Sequence, residues 1–284
     1  MRIALAQIAP RLGDVEKNLD LHLEYVGKAK KEKAGLLVFP ELSLTGYTLK
    51  DLVQDVALDP RDSPVFRKLG AESRDLAIVV GFVEEKAEEK GLFYNSAAFL
   101  YKGNILHIHR KVFLPTFGMF EEGKFFAPGR NFNVFAGPLG RTGLLICRDF
   151  LQYGSSYVLH AGGAEIFLVV SAAPGRGISP EARFETSRMW ELMGEAISYF
   201  STAYVIYCNR VGFEDGKTFA GGSFIFNPRG ELQARCPEID PAWMVEDIHP
   251  GLVRDIRRKR TFKRDDRPEI ILHSLERTVS RYED

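Results

Sequence analysis

Cysteine is scarce in this chain: three in 284 residues, Cys147, Cys208 and Cys236, widely separated and never at CxxC spacing. That argues against a zinc cluster and a disulfide scaffold, so a cysteine that matters here matters as a thiol. Net charge is lacking too. The 38 Lys and Arg residues balance 38 Asp and Glu, leaving no overall field to hold nucleic acid or an anionic membrane, and neither partner is expected. No apolar run approaches the roughly 20 residues needed to span a bilayer. The amino terminus, MRIALAQIAP, turns charged too soon for a signal peptide, and a cytoplasmic protein is expected. Phosphate loops of the GxxxxGK[ST] type and strand-linked GxGxxG turns are missing, so no cofactor is expected. No metal is expected either, because His107 and His109 alternate on one strand without a further ligand at metal spacing and read as structural. With no Pro/Gly/Ser-rich linker and no internal repeat, residues 1–284 read as a single domain.

What the chain does have is an even alternation of apolar runs and amphipathic stretches, the pattern of a layered α/β protein, at 45% hydrophobic and 27% charged residues. Arg2 to Ile8 reads as a strand. Asp14 caps a helix with apolar positions at Val15, Leu19, Leu23 and Val26. Leu36 to Phe39 is a short strand stopped by Pro40, a helix begins near Ser63 and Pro64, and Leu76 to Val83 is a further buried strand. Phe93 to Tyr101 and Ile105 to Lys111 form a hairpin around Lys102, Gly103 and Asn104, so the sheet is not purely parallel. Gly143 to Cys147 and Ile166 to Val170 are strands separated by a helix ending near Gly162 and Gly163. Pro180 is placed at the first turn of the longest helical pattern, running through Phe184, Trp190, Met193, Ile197 and Phe200. Tyr204 to Asn209 is again a strand, and Phe224 to Phe226 pairs with Leu232 to Ala234 across an NPRG turn. The basic cluster from Arg254 to Arg264, interrupted by acids, reads as a solvated or subunit-contacting tail.

Three chemically complementary residues lie just past apolar strands: Glu41 after LLVF, Lys111 closing ILHIHRK, and Cys147 closing GLLIC. Reactive groups in layered α/β proteins gather outside the carboxyl ends of strands. Singly, each residue is more often structural: a core thiol, a solvated carboxylate, an edge lysine. Three chemically complementary residues in one structural context suggest convergence on a single site.

The segments that carry them, GLLVFPELSLTGY, HRKVFLPTFGMFEEGKFFAPG and GLLICRDF, with NRVG from Asn209 and FAGGSFIFNPRGE from Phe219, resemble the nitrilase superfamily of carbon–nitrogen hydrolases over almost the whole chain. The resemblance implies a four-layer αββα sandwich with two mixed β-sheets, and a homodimer or higher homo-oligomer to which residues from about 250 to 284 contribute. It implies that Glu41, Lys111 and Cys147 are catalytic: Cys147 as nucleophile, Glu41 as general base and acid, and Lys111 holding the oxyanion with the Arg148 backbone N–H and favouring the thiolate. Glu122 would position Lys111 and substrate, while Glu121 reads as a solvated neighbour. Tyr47, Phe117, Arg148, Ser171, Ala172 and Ala173 would line the pocket. Arg148 stands where relatives often carry an aromatic or acidic residue, and it either faces the pocket entrance, points to solvent or pairs with Asp149.

The expected activity is hydrolysis of a small non-peptide amide, or an N-carbamoyl compound, through a cysteine thioester. PELSLTGYTLKDL and RKVFLPTFGMFEE particularly resemble glutamine-hydrolysing domains of NAD synthetases. Nitrile hydrolysis and a catalytically silent binding protein are the further alternatives.

Overall fold

In the computed structural model, which describes residues 1–178 and 183–280, two six-stranded sheets lie at the centre of the molecule. The first contains β1 (Arg2–Gln7), β2 (Leu36–Val38), β3 (Ala77–Glu85), β4 (Phe93–Tyr101) and β5 (Asn104–Arg110). The second contains β6 (Val134–Gly137), β7 (Gly140–Ile146), β8 (Ile166–Ser171) and β9 (Tyr204–Asn209). After a small hairpin of β10 (Val211–Glu214) and β11 (Lys217–Ala220), β12 (Phe224–Phe226) and β13 (Leu232–Arg235) complete the second sheet, and β14 (Ala242–Asp247) returns to the first. The strand orders are β14-β1-β2-β3-β4-β5 and β13-β12-β9-β8-β7-β6. Each sheet is mixed. Parallel cores β1-β2-β3 and β7-β8-β9 are flanked by antiparallel neighbours.

Side-chain alternation builds the layers. Ile3, Leu5, Leu36, Val38, Ala77 and Val79 pack toward the second sheet in one core cluster, while Ala4, Ala6, Leu37, Phe39, Ile78 and Val80 form another with Leu19, Val26, Phe66 and Leu69. Those last four come from helices Val15–Lys31 and Pro64–Glu72. Covered on both faces, the strands need apolar residues at nearly every position, which is why they read as short continuous runs. On the far side, helices Tyr153–Ala161 and Glu185–Ser201 bring Leu159 and Trp190 against the second sheet, giving the αββα order. Local signals set the helix starts. The Asp14 side chain accepts from Lys17 N at 3.1 Å, and Ser63 accepts from Val65 N at 3.2 Å, caps worth about 1 kcal/mol each. Among the described residues, no helix is long and apolar enough to cross a membrane.

Two expectations change. Pro180 lies outside the described residues, and the long helix starts only at Glu185. Phe184 is extended rather than helical because its N–H donates to Glu238 Oε2 at 3.0 Å while its ring packs on Gly175. The basic tail is not simply solvated. Lys263 donates to the carbonyls of His160 (2.9 Å) and Ala161 (2.7 Å), Arg257 to that of Ala164 (2.6 Å), and Arg260 to that of Arg229. The first two sit at the end of helix Tyr153–Ala161, where unsatisfied carbonyls and the helix dipole favour a cation. Arg254, Arg264 and Arg267 do pair with neighbouring acids at the surface. Helix Pro268–Val279 buries no side chain and displays Ile270, Ile271, Leu272 and Leu275.

Candidate active site

Glu41, Lys111 and Cys147 each follow a strand, at the ends of β2, β5 and β7. The Glu41 loop is pressed onto β3. Leu44 N donates to Gly81 O at 3.0 Å, and Gly81 N donates to Ser43 Oγ at 3.2 Å. A β-carbon on Gly81 would stand 2.2 Å from Leu42 N and 2.6 Å from Pro40 O, so only glycine lets the loop this close. His22, buried and held neutral by burial with its pKa lowered to about 4, braces Ser43 through Nε2 at 2.9 Å.

The Glu41 carboxylate is fully engaged. Oε1 accepts from Lys111 Nζ at 2.8 Å and Asn95 Nδ2 at 2.7 Å, and Oε2 accepts from the backbone N–H of Ala172 at 2.7 Å. Lys111 is buried and also donates to Glu122 Oε1 at 2.6 Å. Burial alone would discharge it, but the Glu122 and Glu41 carboxylates outweigh burial and hold the ammonium above its ordinary range. Burial also lifts the Glu122 carboxyl to about 7, although Lys111 pulls it down. Glu122 Oε1 further accepts from the Tyr47 hydroxyl, while Oε2 is buried without a partner among the described residues. Tyr47 is itself fixed from behind: Glu214 Oε2 accepts its N–H at 3.0 Å and that of Thr48 at 2.9 Å, and Glu214 pairs with the buried Arg210.

Cys147 opens a short turn, Cys147–Asp149, with φ at +44°. A non-glycine residue in the left-handed region carries strain that the surroundings must impose. Asp149 supplies the restraint. Its Oδ1 accepts from Val112 N (3.1 Å) and Phe113 N (2.9 Å), its Oδ2 faces His109 Nε2 at 2.8 Å, and both residues are buried. One carboxylate therefore ties the Cys147 turn to the backbone just after Lys111. The Cys147 thiol lies within electrostatic reach of Glu41, Lys111 and Glu122, beside the Ser171 hydroxyl. Burial and the Glu41 charge push it up to about 12, with Lys111 and Ser171 acting the other way. The expected thiolate-favouring effect of Lys111 is thus outweighed by burial and by the Glu41 charge.

The model of the carbon-nitrogen hydrolase family matches residues 2–258. The chain belongs to that family. It is 33% identical over 269 residues to a glutamine-dependent NAD(+) synthetase of Acinetobacter baylyi, a match covering 95% of this chain and 47% of that protein. This chain therefore spans about half the length of that relative. The amidase of Nesterenkonia sp. AN1, solved with an acetamide moiety covalently added at its active-site cysteine, is 26% identical at a TM-score of 0.78, covering 96% of both chains. A carbon-nitrogen hydrolase from Helicobacter pylori shares the fold at a TM-score of 0.85, with 24% identity over 97% of this chain and 98% of that one.

In this carbon-nitrogen hydrolase, the expected pocket residues divide by role. Ser171 lies beside the thiol, the Ala172 backbone N–H donates to Glu41, and Tyr47 is a hydrogen-bond donor to Glu122. Ala173 is likewise held by its N–H, which donates to Asn209 Oδ1 at 2.8 Å. Glu121 is a surface residue facing Lys124. Arg148 does not pair with Asp149, whose oxygens are taken by His109 and three backbone amides. Its guanidinium lies over the exposed Phe117 ring, 5.4 Å from the centroid. Sequence reasoning missed Asn95, His109 with Asp149, and Arg210 with Glu214 as parts of the site. The available signal was a polar or charged residue inside an otherwise apolar strand: Asn95 in FYNSAAFLY and Arg210 just after YVIYCN.

Proposed function

We propose that this carbon–nitrogen hydrolase cleaves a small non-peptide amide through a thioester on Cys147. The observation that carries the reading is the buried Glu41–Lys111–Glu122 cluster beside the Cys147 thiol. Glu41 takes the thiol proton as sulfur attacks the amide carbonyl. Lys111 and the Arg148 backbone N–H hold the developing oxyanion, where preorganised positive charge is most effective. Glu41 then delivers the proton to the departing nitrogen, ammonia leaves, and the acyl group remains on sulfur. Water, deprotonated by Glu41, attacks the thioester; the carboxylic acid departs and the proton returns to the thiol. Glu122 keeps Lys111 charged and oriented, and we assign its unpartnered Oε2 to accept from the substrate amide N–H.

A second reading is favoured by the similarity to the Acinetobacter NAD(+) synthetase: the amide is glutamine and the ammonia passes to a partner enzyme. In either case we place the enzyme in the cytoplasm as a homodimer. Supporting the dimer are exposed apolar side chains on helix Glu185–Ser201, Leu192 and Phe200, and those displayed by helix Pro268–Val279.

The test is intact-protein mass spectrometry during turnover of glutamine, ω-amides, N-carbamoyl amino acids and aliphatic nitriles. A covalent acyl mass on Cys147 and ammonia release are expected, both lost in Cys147→Ala with the fold retained. Turnover that survives Cys147→Ala would exclude the thioester route.

A further inference from the structure

Two arginines on segments next to the triad residues share one aromatic support. The Arg148 guanidinium lies 5.4 Å from the centroid of Phe117, that of Arg176 lies 5.3 Å from the centroid of Phe120, and the two rings meet edge to face at 5.4 Å. Phe117 is 51% exposed, which suits a stacking plate better than a core residue. A guanidinium stacked by its face keeps its N–H donors free in the plane, the geometry that a carboxylate matches with paired hydrogen bonds. Neither guanidinium forms an ion pair or a hydrogen bond among the described residues. Arg183, Arg210 and Arg110 are all engaged by glutamates.

Both arginines spring from fixed backbone. Arg148 is inside the turn that Asp149 clamps. Arg176 N–H donates to Thr186 Oγ1 at 3.1 Å, and Arg176 O accepts from Thr186 N at 3.3 Å. The segments that carry them also build the reaction centre. Arg148 follows Cys147, Phe117 and Phe120 lie between Lys111 and Glu122, and Arg176 is four residues past Ala172, whose N–H holds Glu41. One small molecule with an anion for these arginines and an amide for the thiol suits this arrangement. Cationic donors without a protein partner discriminate by charge rather than by bulk.

Resting on the hydrolase reading, we infer that Arg148 and Arg176 form a carboxylate clamp and that the substrate is an amide with a carboxylate at its far end. Uncharged amides of the same length leave both cations unused and are poor substrates.

The experiment compares glutaramate and succinamate with the uncharged valeramide and butyramide in wild type, Arg148→Met, Arg176→Met and the double variant. The carboxylate-bearing member of each pair is expected to have a kcat/KM at least tenfold higher. That ratio falls severalfold in each single variant and approaches one in the double, with Arg148→Lys and Arg176→Lys recovering part of it. Equal ratios in wild type, or a ratio unchanged in the double variant, overturn the clamp. Binding of glutaramate and valeramide to Cys147→Ala by calorimetry separates this proposal from the chemistry. Glutaramate binding that weakens with salt and disappears on adding Arg148→Met and Arg176→Met supports the clamp even if no amide acylates Cys147. Failure of Cys147→Ala to bind glutaramate more tightly than valeramide overturns it.

Discussion

The buried cluster of Glu41, Lys111 and Glu122, the floor of the site, and the proposed arginine clamp, its rim, are built on opposite rules. On the floor, the buried Glu41 carboxylate is fully bonded, buried Lys111 gives two of its three N–H donors to carboxylates, and Glu122 is bonded through one oxygen. At the rim, Arg148 and Arg176 lie over aromatic rings and pair with no acid among the described residues. A buried charge must be paired, since removing one partner strands the other at a cost of several kcal/mol. An exposed charge can be left unpaired at little cost because water solvates it. The difference teaches where reaction and selection are separable: the floor cannot lose a charged partner, whereas the rim keeps its donors for a ligand.

Breaking the floor at its base should have the largest effect. Glu41→Gln keeps the size but removes the proton acceptor, and kcat is expected to fall on the order of 10²–10⁴-fold, measured by ammonia release. A loss under tenfold would mean another group deprotonates the thiol. Next comes Gly81→Ala, which touches no reacting atom. The added methyl meets Leu42 N and Pro40 O and displaces the Glu41 loop. Overpacking of about 1–3 kcal/mol should lower Tm by several degrees, and a shift of about 1 Å in the base can reduce kcat by about 10²-fold. Wild-type kcat in that variant would show that the floor is less exacting than the comparison holds.

The smallest effect concerns Glu122 and pH. Its folded-state pKa is raised from 4.5 to about 7, so the folded protein binds this proton more tightly than the unfolded chain does. The resulting contribution to stability is fully present below pH 4.5 and is lost as pH rises through about 7. Glu122→Gln lacks this titration. Its Tm relative to wild type should therefore improve between about pH 4.5 and pH 7 and level off above that, by thermal scans of both proteins in the same buffers. A pH-independent difference would place the Glu122 carboxyl in the ordinary range and make the floor electrostatically less coupled than its geometry implies.

The same contrast explains what was legible in the sequence. Glu41, Lys111 and Cys147 stand at strand ends within recognisable segments, and the hairpins and buried strands follow from apolar periodicity and turn residues. The restraints do not. Asp149 reaches across 36 and 37 residues to two backbone amides, and Asn95 meets Glu41 from 54 positions away. Such pairings depend on which strands become neighbours, which local pattern does not encode. The left-handed Cys147 was hidden because a strand ending in a thiol looks the same whichever way its backbone turns. Phe184 read as helical because it kept the apolar spacing, yet a hydrogen bond to Glu238 holds it extended. The three tail cations read as solvated because their acceptors are carbonyls, which have no letter in a sequence. Arg148 stayed ambiguous until its aromatic support could be seen.

The bracket at Asp149 carries a consequence for how the enzyme fails. Since a single side chain fastens both the sulfur-bearing turn and the stretch following the ammonium, any fluctuation that releases it loosens the two together. Damage should then divide the population into intact molecules and dead ones, with the residual rate counting survivors rather than measuring a slower average catalyst.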